Sequence, residues 1–387
     1  MRVLVSSLRA AGHIAALRPL VRAAAQAGAD IRVVVEDEAA ASYAGIVTSI
    51  TALPPMTADL ASESTRAWSE AAARQARGDV QGSNEVAVRY GFGAVHAQHA
   101  LPTLREQLAD FTPDLVLADP FEPAAILATA DLDVPLVLAS WSVSSWLPTW
   151  VTALLDGAAA SIGIDATAAL QKAARAVRFS PLPPGLDEPA PDEWTEPVRW
   201  HPSPTMPRRR AINRDQPTLY ATLGSVVGNI PPLANRFFAA LGPAVESVGG
   251  NCLATIGRDS ALEPLRIPTS IEVEHFVAHR DVMPNADVVI SHGGINTVLD
   301  AAACGVPQLV LPMQASDQHV TSTRLTSYGA GIGLAPDQQT PDKVTSALRT
   351  ILDEATIHNR ATDAAEEMAQ QPPAAAAWQS ALEHAFD

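Results

Sequence analysis

Apolar positions along this chain follow two rhythms that alternate, and the alternation appears in both halves. Val3–Ser6 is a short apolar run of strand type. After a loop, His13–Gln26 carries apolar residues at helical spacing through Leu17, Leu20, Val21 and Ala24, and Gly28 stops it before a second run, Ile31–Val35. A strand, helix and strand in so short a span predict a parallel sheet covered by helices. The same order recurs at Asp114–Asp119, Pro123–Ala130 and Val134–Ala139. In the second half a strand, loop and helix run from Thr218 to Leu241. Strand-like runs follow at Cys252–Ile256, Ile271–Val273 and Val288–Ser291, then a helix over Ile295–Ala303 and a strand over Gln308–Leu311.

Between the halves, residues 181–217 are crowded with proline, which blocks helix interiors and cannot donate in a ladder. The stretch is expected to be a connector rather than a core element. The expected organisation is a first α/β domain over 1–205, a second over 215–372, and a last helix at 373–387 able to pack back on the first domain. Arg208, Arg209 and Arg210, inside the connector, read as a solvated charge run. The segment 56–96 is polar and irregular and is expected to hold helices and mobile loops.

Charge and cysteine content narrow the function. The 387 residues carry a net charge of −16, which argues against nucleic acid or an anionic membrane as the main partner. Cys252 and Cys304 form no metal motif and no disulfide framework, so the expected setting is a reducing cytoplasm. The opening residues are not expected to form a secretory leader, and no apolar run in the sequence is long enough to span a bilayer.

The most chemically informative segment is Ser291-His292-Gly293-Gly294-Ile295-Asn296-Thr297-Val298-Leu299-Asp300. It follows an apolar strand and opens a helix. A helix start presents unbonded N–H groups and a partial positive charge, and glycines let an anion approach the backbone. The segment therefore reads as a pyrophosphate cradle, with His292, Asn296 and Thr297 adding side-chain donors. A plain capped turn is the competing reading of these ten residues alone.

The residues beyond them carry a resemblance. His292 through Gly305-Val306-Pro307, Leu311-Pro312, Asp317-Gln318 and Gly329-Ala330-Gly331 resembles the donor-site signature of family 1 glycosyltransferases. Ala11-Gly12-His13 with Leu17, Pro19 and Leu20 resembles that family's opening, and Thr222-Leu223-Gly224-Ser225 its first strand and loop in the second domain. Glu274–Val277 and Asp281–Asp287 are similar to the stretch before the glycine pair. The resemblance is nearest to actinobacterial enzymes that decorate natural products. It implies a GT-B fold: two Rossmann-like doubly wound domains facing across a cleft.

The resemblance also implies roles. His292 would contact the phosphate nearer the nucleoside, with Gly294 admitting the diphosphate and Asn296 and Thr297 on the outer phosphate. Asn296 departs from the bacterial pattern, where glycine is usual, and matches the plant form. Asp300 stands where a plant glutamate holds the ribose hydroxyls. Phe276 would stack on the base, Val277 would offer its backbone to the base edge, and His279 stands at a plant glutamine. Asp317 and Gln318 would bind sugar hydroxyls, and Ser225 would reach the diphosphate from the opposite loop. His13 stands at the position of the family's catalytic base. Asp119 would orient it, with Glu122 as the runner-up acid. An imidazole is well placed in pKa to take a proton from an acceptor hydroxyl.

The expected reaction is inverting transfer of a (deoxy)sugar from a nucleotide diphosphate, dTDP before UDP, onto a hydroxyl of a small lipophilic natural product. No cofactor or metal is required. Asp131-Leu132-Asp133 reads as a turn rather than a metal triplet, and His96 and His99 lack a third zinc ligand. Trp141, Trp146 and Trp150, with Trp68, Tyr90 and Phe92, mark the region expected to take a flat aglycone. A C-glycosyltransferase and an inactive helper subunit of the same fold stay open at this point, as does a homodimer.

Overall fold

The computed structural model describes residues 1–202, 206–209, 216–225, 227–258, 260–313 and 316–386. The chain divides into two compact units. The first comprises Met1–Pro181, Glu188–Pro202 and Pro372–Asp387, and the second Leu182–Asp187 and Ser203–Gln371.

The first unit is built on seven parallel strands: β1 (Arg2–Ser6), β2 (Asp30–Val35), β3 (Ser49–Ala52), β4 (Leu115–Ala118), β5 (Leu136–Ala139), β6 (Val177–Ser180) and β7 (Pro197–Arg199). Their order is β3-β2-β1-β4-β5-β6-β7, with Val5 opposite Val33 on one side and Leu117 on the other. Central strands such as Leu115–Ala118 are buried throughout, as a sheet covered on both faces requires. Leu17, Leu20, Val21 and Ala24 of the helix Ala11–Gln26 pack on Val3, Val5 and Val33. The last helix, Ala374–Phe386, joins this core through Trp378, whose ring lies parallel to Phe179 at 6.3 Å.

The described residues of the second unit form six parallel strands: β8 (Thr218–Thr222), β9 (Asn251–Thr255), β10 (Ile271–Glu274), β11 (Val288–Ser291), β12 (Gln308–Val310) and β13 (Gly331–Gly333), ordered β10-β9-β8-β11-β12-β13. Its core joins Leu219, Ala221, Phe237, Phe238, Val288, Ile290 and Leu309. In both sheets the strand order reverses beside the first strand of the unit. In such sheets the carboxyl ends at that point are where ligands bind.

Two expectations need correction. The proline-rich stretch is not a bare connector: it contains β7, and Trp200 directly after it is 1% exposed in the first core. Pro197 is tolerated because it opens an edge strand, where a missing donor breaks no ladder. Arg209 is not simply solvated. Its guanidinium lies 3.0 Å from His358 Nδ1, its amide donates to the Cys304 carbonyl, and burial pulls its pKa down. Arg210 lies outside the described residues. In 56–96 the expected helices are present and fill most of the segment. Ala58–Ala76 and Val80–Val86 are followed by a π-helical segment, Ala87–Val95, that runs straight into the helix His96–Phe111. Segments of this wide-turn kind are frequent at functional sites.

Candidate functional site

The first unit gathers its chemistry at the carboxyl ends of β1 and β4. His13 stands in the first turn of the helix that follows β1, and Asp119 is the residue after β4. The His13 Nδ1 is hydrogen-bonded to Asp119 Oδ2. Asp119 is fully buried, and its Oδ1 accepts the Phe121 amide at 2.8 Å and the Trp141 indole N–H at 3.2 Å. A carboxylate bonded to Nδ1–H fixes the tautomer and leaves Nε2 as the basic nitrogen. Glu122, the runner-up acid, is directed elsewhere: its Oε2 accepts from His96 Nε2 at 2.7 Å.

Aromatic rings surround this pair. Trp141 meets the His13 ring edge-on at 4.6 Å, Phe121 at 5.9 Å, and Phe92 of the π-helical segment lies 6.4 Å away. The contacts continue outward from Phe121 to Trp146 and Trp150, and from Phe92 to Trp68. Trp141 is buried, whereas Trp68 and Tyr90 are exposed. The arrangement can take a proton from a hydroxyl held against an apolar wall.

The second unit gathers its candidates after β8, β10, β11 and β12. The helix Ile295–Cys304 begins after Gly294 with no side-chain cap. An uncapped start leaves first-turn N–H groups for an anion. The His292 ring is wedged between two glycines. A Cβ on Gly224 would stand 2.6 Å from its Cε1, and one on Gly294 would stand 2.7 Å from its Nε2. Gly224 also holds φ at +64°, so both reasons demand glycine there. Burial pushes the His292 imidazole down to about 4, against a smaller pull from the Thr222 carbonyl. The ring is neutral at neutral pH, and its Nδ1 is buried with no hydrogen-bond partner.

The other predicted donor-side residues fall in four places. Ser225 follows Gly224, and Gly257 backs onto that loop, 3.7 Å from the Ser225 Cα measured from its ideal Cβ. Asn296 and Thr297 lie in the first helical turn, with Thr297 buried and its amide bonded to the Gly294 carbonyl. Phe276 is half exposed, so it is not a core residue. The guanidinium of Arg258 lies 3.5 Å from its ring centroid. Val277 beside it is half-buried. Asp300 does not face solvent unengaged: its Oδ2 is 2.8 Å from His279 Nδ1. Asp317 lies in the first turn of the helix Ser316–Tyr328. Gln318 is 6% exposed, with its Oε1 accepting the Met313 amide at 2.9 Å.

Sequence reasoning missed Arg258 and Glu36. Neither carries a local motif: Arg258 matters through Phe276, and Glu36 through its neighbours at the end of β2. Both thiols are buried, and burial pushes each up to about 12, which leaves them inert. Among the described residues no group of three acidic, histidine or cysteine side chains is placed to hold a metal, and no helix is long and apolar enough to cross a membrane.

Two doubly wound units, one with an anion-ready helix start, define the GT-B class. Comparison with known proteins agrees. The spinosyn rhamnosyltransferase SpnG, solved with thymidine diphosphate, superposes with a TM-score of 0.71 at 21% identity, covering 99% of this chain and 100% of that one. Residues 241–382 match the C-terminal domain family of proteins like erythromycin biosynthesis protein CIII. The L-demethylnoviosyl transferase of Streptomyces niveus is 27% identical over 382 residues, 96% of this chain and 95% of that protein. The 4'-demethylrebeccamycin synthase of Lentzea aerocolonigenes is 29% identical over 169 residues, spanning 43% of this chain but only 36% of the relative. Over nearly its whole length the chain is therefore similar to glycosyltransferases of the actinobacterial natural-product type, and it shares their fold.

Proposed function

We propose that this chain transfers a hexosyl or deoxyhexosyl group from a nucleoside diphosphate, dTDP in preference to UDP, to a hydroxyl of a small lipophilic natural product. The observation that carries the reading is the His13–Asp119 pair inside its aromatic enclosure. His13 Nε2 takes the acceptor proton while Asp119 stabilises the imidazolium. The acceptor oxygen forms a bond to the anomeric carbon as the bond from that carbon to the diphosphate breaks, with inversion. The leaving nucleoside diphosphate carries the negative charge. The amides at the start of the helix Ile295–Cys304, with Ser225, His292, Asn296 and Thr297, receive that charge without a metal.

Phe276 and Val277 take the base, Asp300 the deoxyribose and Asp317 with Gln318 the sugar. The acceptor lies along Trp141, Trp146, Trp150 and Phe92. Support for the donor class comes from SpnG, whose structure holds thymidine diphosphate. Support for the acceptor class comes from the 4'-demethylrebeccamycin synthase, whose name places it on a rebeccamycin product, while the L-demethylnoviosyl transferase is named for the sugar group it moves.

The test is His13→Ala. Turnover should fall roughly 10²–10⁴-fold, while dTDP binds with unchanged Kd. Unchanged turnover would remove His13 from the chemistry.

A further inference from the structure

The carboxyl-end loops of the first sheet carry two acids that the chemistry above does not use. Glu36 directly follows β2, and Glu122 lies just past Asp119. Between them stands His96, the first residue of the helix His96–Phe111. Its Nε2–H donates to Glu122 Oε2 at 2.7 Å, and its Nδ1 lies 3.8 Å from Glu36 Oε1. The three side chains are 5%, 1% and 12% exposed. Burial works against a charged imidazole, but Glu122, Glu36 and Asp119 outweigh it and hold His96 above its usual value. Burial raises Glu36.

The other titratable groups near the cluster are His99, pulled down by burial and by His96, and Arg9, whose Nε is 3.5 Å from Glu36 Oε2. Glu38 lies 3.9 Å from Arg9.

The cluster is joined to the catalytic pair through one short turn. The Glu122 amide donates to the Asp119 carbonyl at 2.9 Å, and the Phe121 amide to Asp119 Oδ1. Glu122 Oε1 in turn accepts the Ala124 amide. Residues 119–124 are therefore one hydrogen-bonded piece, and His96 bonds to it from another helix. Immediately upstream of His96 is the π-helical segment that carries Phe92. A buried ionic cluster is weak as a source of stability, because desolvation consumes most of the Coulombic gain. Its place beside Asp119 points instead to geometry and charge.

We infer that Glu36, His96 and Glu122 form a buried clasp in which His96 is a positioning residue, holding the turn that bears Asp119 and Phe121 and setting the charge behind His13. This rests on the reading of His13 as the base.

His96→Gln keeps an N–H donor and most of the volume but removes an imidazole whose protonated form Glu122, Glu36 and Asp119 favour. The expected result is a kcat lower by about tenfold with dTDP Kd unchanged. The acid limb of the kcat profile should move up by about half a pH unit, since losing a nearby cation favours protonated His13. Glu36→Gln should move the limb down by a similar amount. It leaves the His96–Glu122 bond in place, so it carries the test alone if His96→Gln does not fold. An acid limb that stays put in the folded variants overturns the clasp, as does an unchanged kcat. His13→Ala measured in parallel separates the two readings. If it retains full turnover, the base assignment fails and the clasp falls with it. If it abolishes turnover while the limbs do not move, only the clasp falls.

Discussion

Gly224→Ala probes the proposed phosphate site more sharply than removal of any single side chain proposed to bind it. The new methyl would stand 2.6 Å from His292 Cε1, where ordinary contact begins at 3.4 Å. The ring must therefore withdraw by most of an ångström. It has little room to do so, because Gly294 closes on its other side. If His292 gives the diphosphate one hydrogen bond to a charged oxygen, displacing it costs about 1.5–3 kcal/mol. That corresponds to a Kd weaker by about 10- to 150-fold. Holding alanine at φ +64° adds a separate stability loss of about 1–2 kcal/mol, visible in the melting temperature but not in affinity. His292→Ala should weaken dTDP by a similar factor. In the double variant the ring is gone, the methyl has space, and the two affinity losses should not add. Isothermal titration of dTDP against the four proteins measures the coupling, expected at about 1.5–3 kcal/mol. Losses that multiply in the double variant, or a Gly224→Ala protein with wild-type affinity, would refute the wedge.

Acid stability offers an independent check on His292. Its folded pKa, near 4, lies below the ordinary imidazole value of 6.5, so the unfolded chain binds the proton more readily. Its contribution is therefore complete above pH 6.5 and is lost as pH falls from about 6.5 to about 4, by up to roughly 3 kcal/mol. Urea unfolding across that range should show a shallower acid slope in His292→Gln, and an identical slope would count against the buried neutral ring. Trp378→Ala should destabilise the first unit by about 3–5 kcal/mol, because it empties a fully buried site against Phe179. Trp378→Phe should cost far less, since the indole N–H it removes is buried without a partner. Equal melting temperatures for the two variants would contradict this account.

Much of this architecture was legible because parallel strands covered on both faces are written as unbroken apolar runs. Val3–Ser6, Leu115–Ala118 and Val288–Ser291 are such runs, and each lies where the periodicity put it. The strands that escaped notice lack that signature. Ser49–Ala52 is only half-buried, Gly331–Gly333 has a single apolar residue, and Pro197–Arg199 opens on proline. Their pairing comes from neighbours distant in sequence. The candidate residues divide in the same way. His13 and His292 stand in local strand–loop–helix contexts that announce a site. The partner of His96 does not, because Glu36 and Glu122 meet it only after β2 and β4 have been laid on either side of β1. Likewise Phe276 could be read as a platform, but not the guanidinium that covers it.

The same topology built twice explains why the halves differ in what they can hold. In each sheet every strand ends at one edge, and the helices that follow begin there, so partial positive charge collects at that edge. In the first unit the edge is occupied by Glu36, Asp119 and Glu122, which pair with His96 and His13. A diphosphate brought to that edge would meet three carboxylates. In the second unit, residues 222–225 and 291–297 contain no acid at all, and their one imidazole is uncharged. The first acid beyond them, Asp300, is engaged by His279. On the proposed reading, anion binding follows from what was left out of the second edge, and proton transfer from what was added to the first.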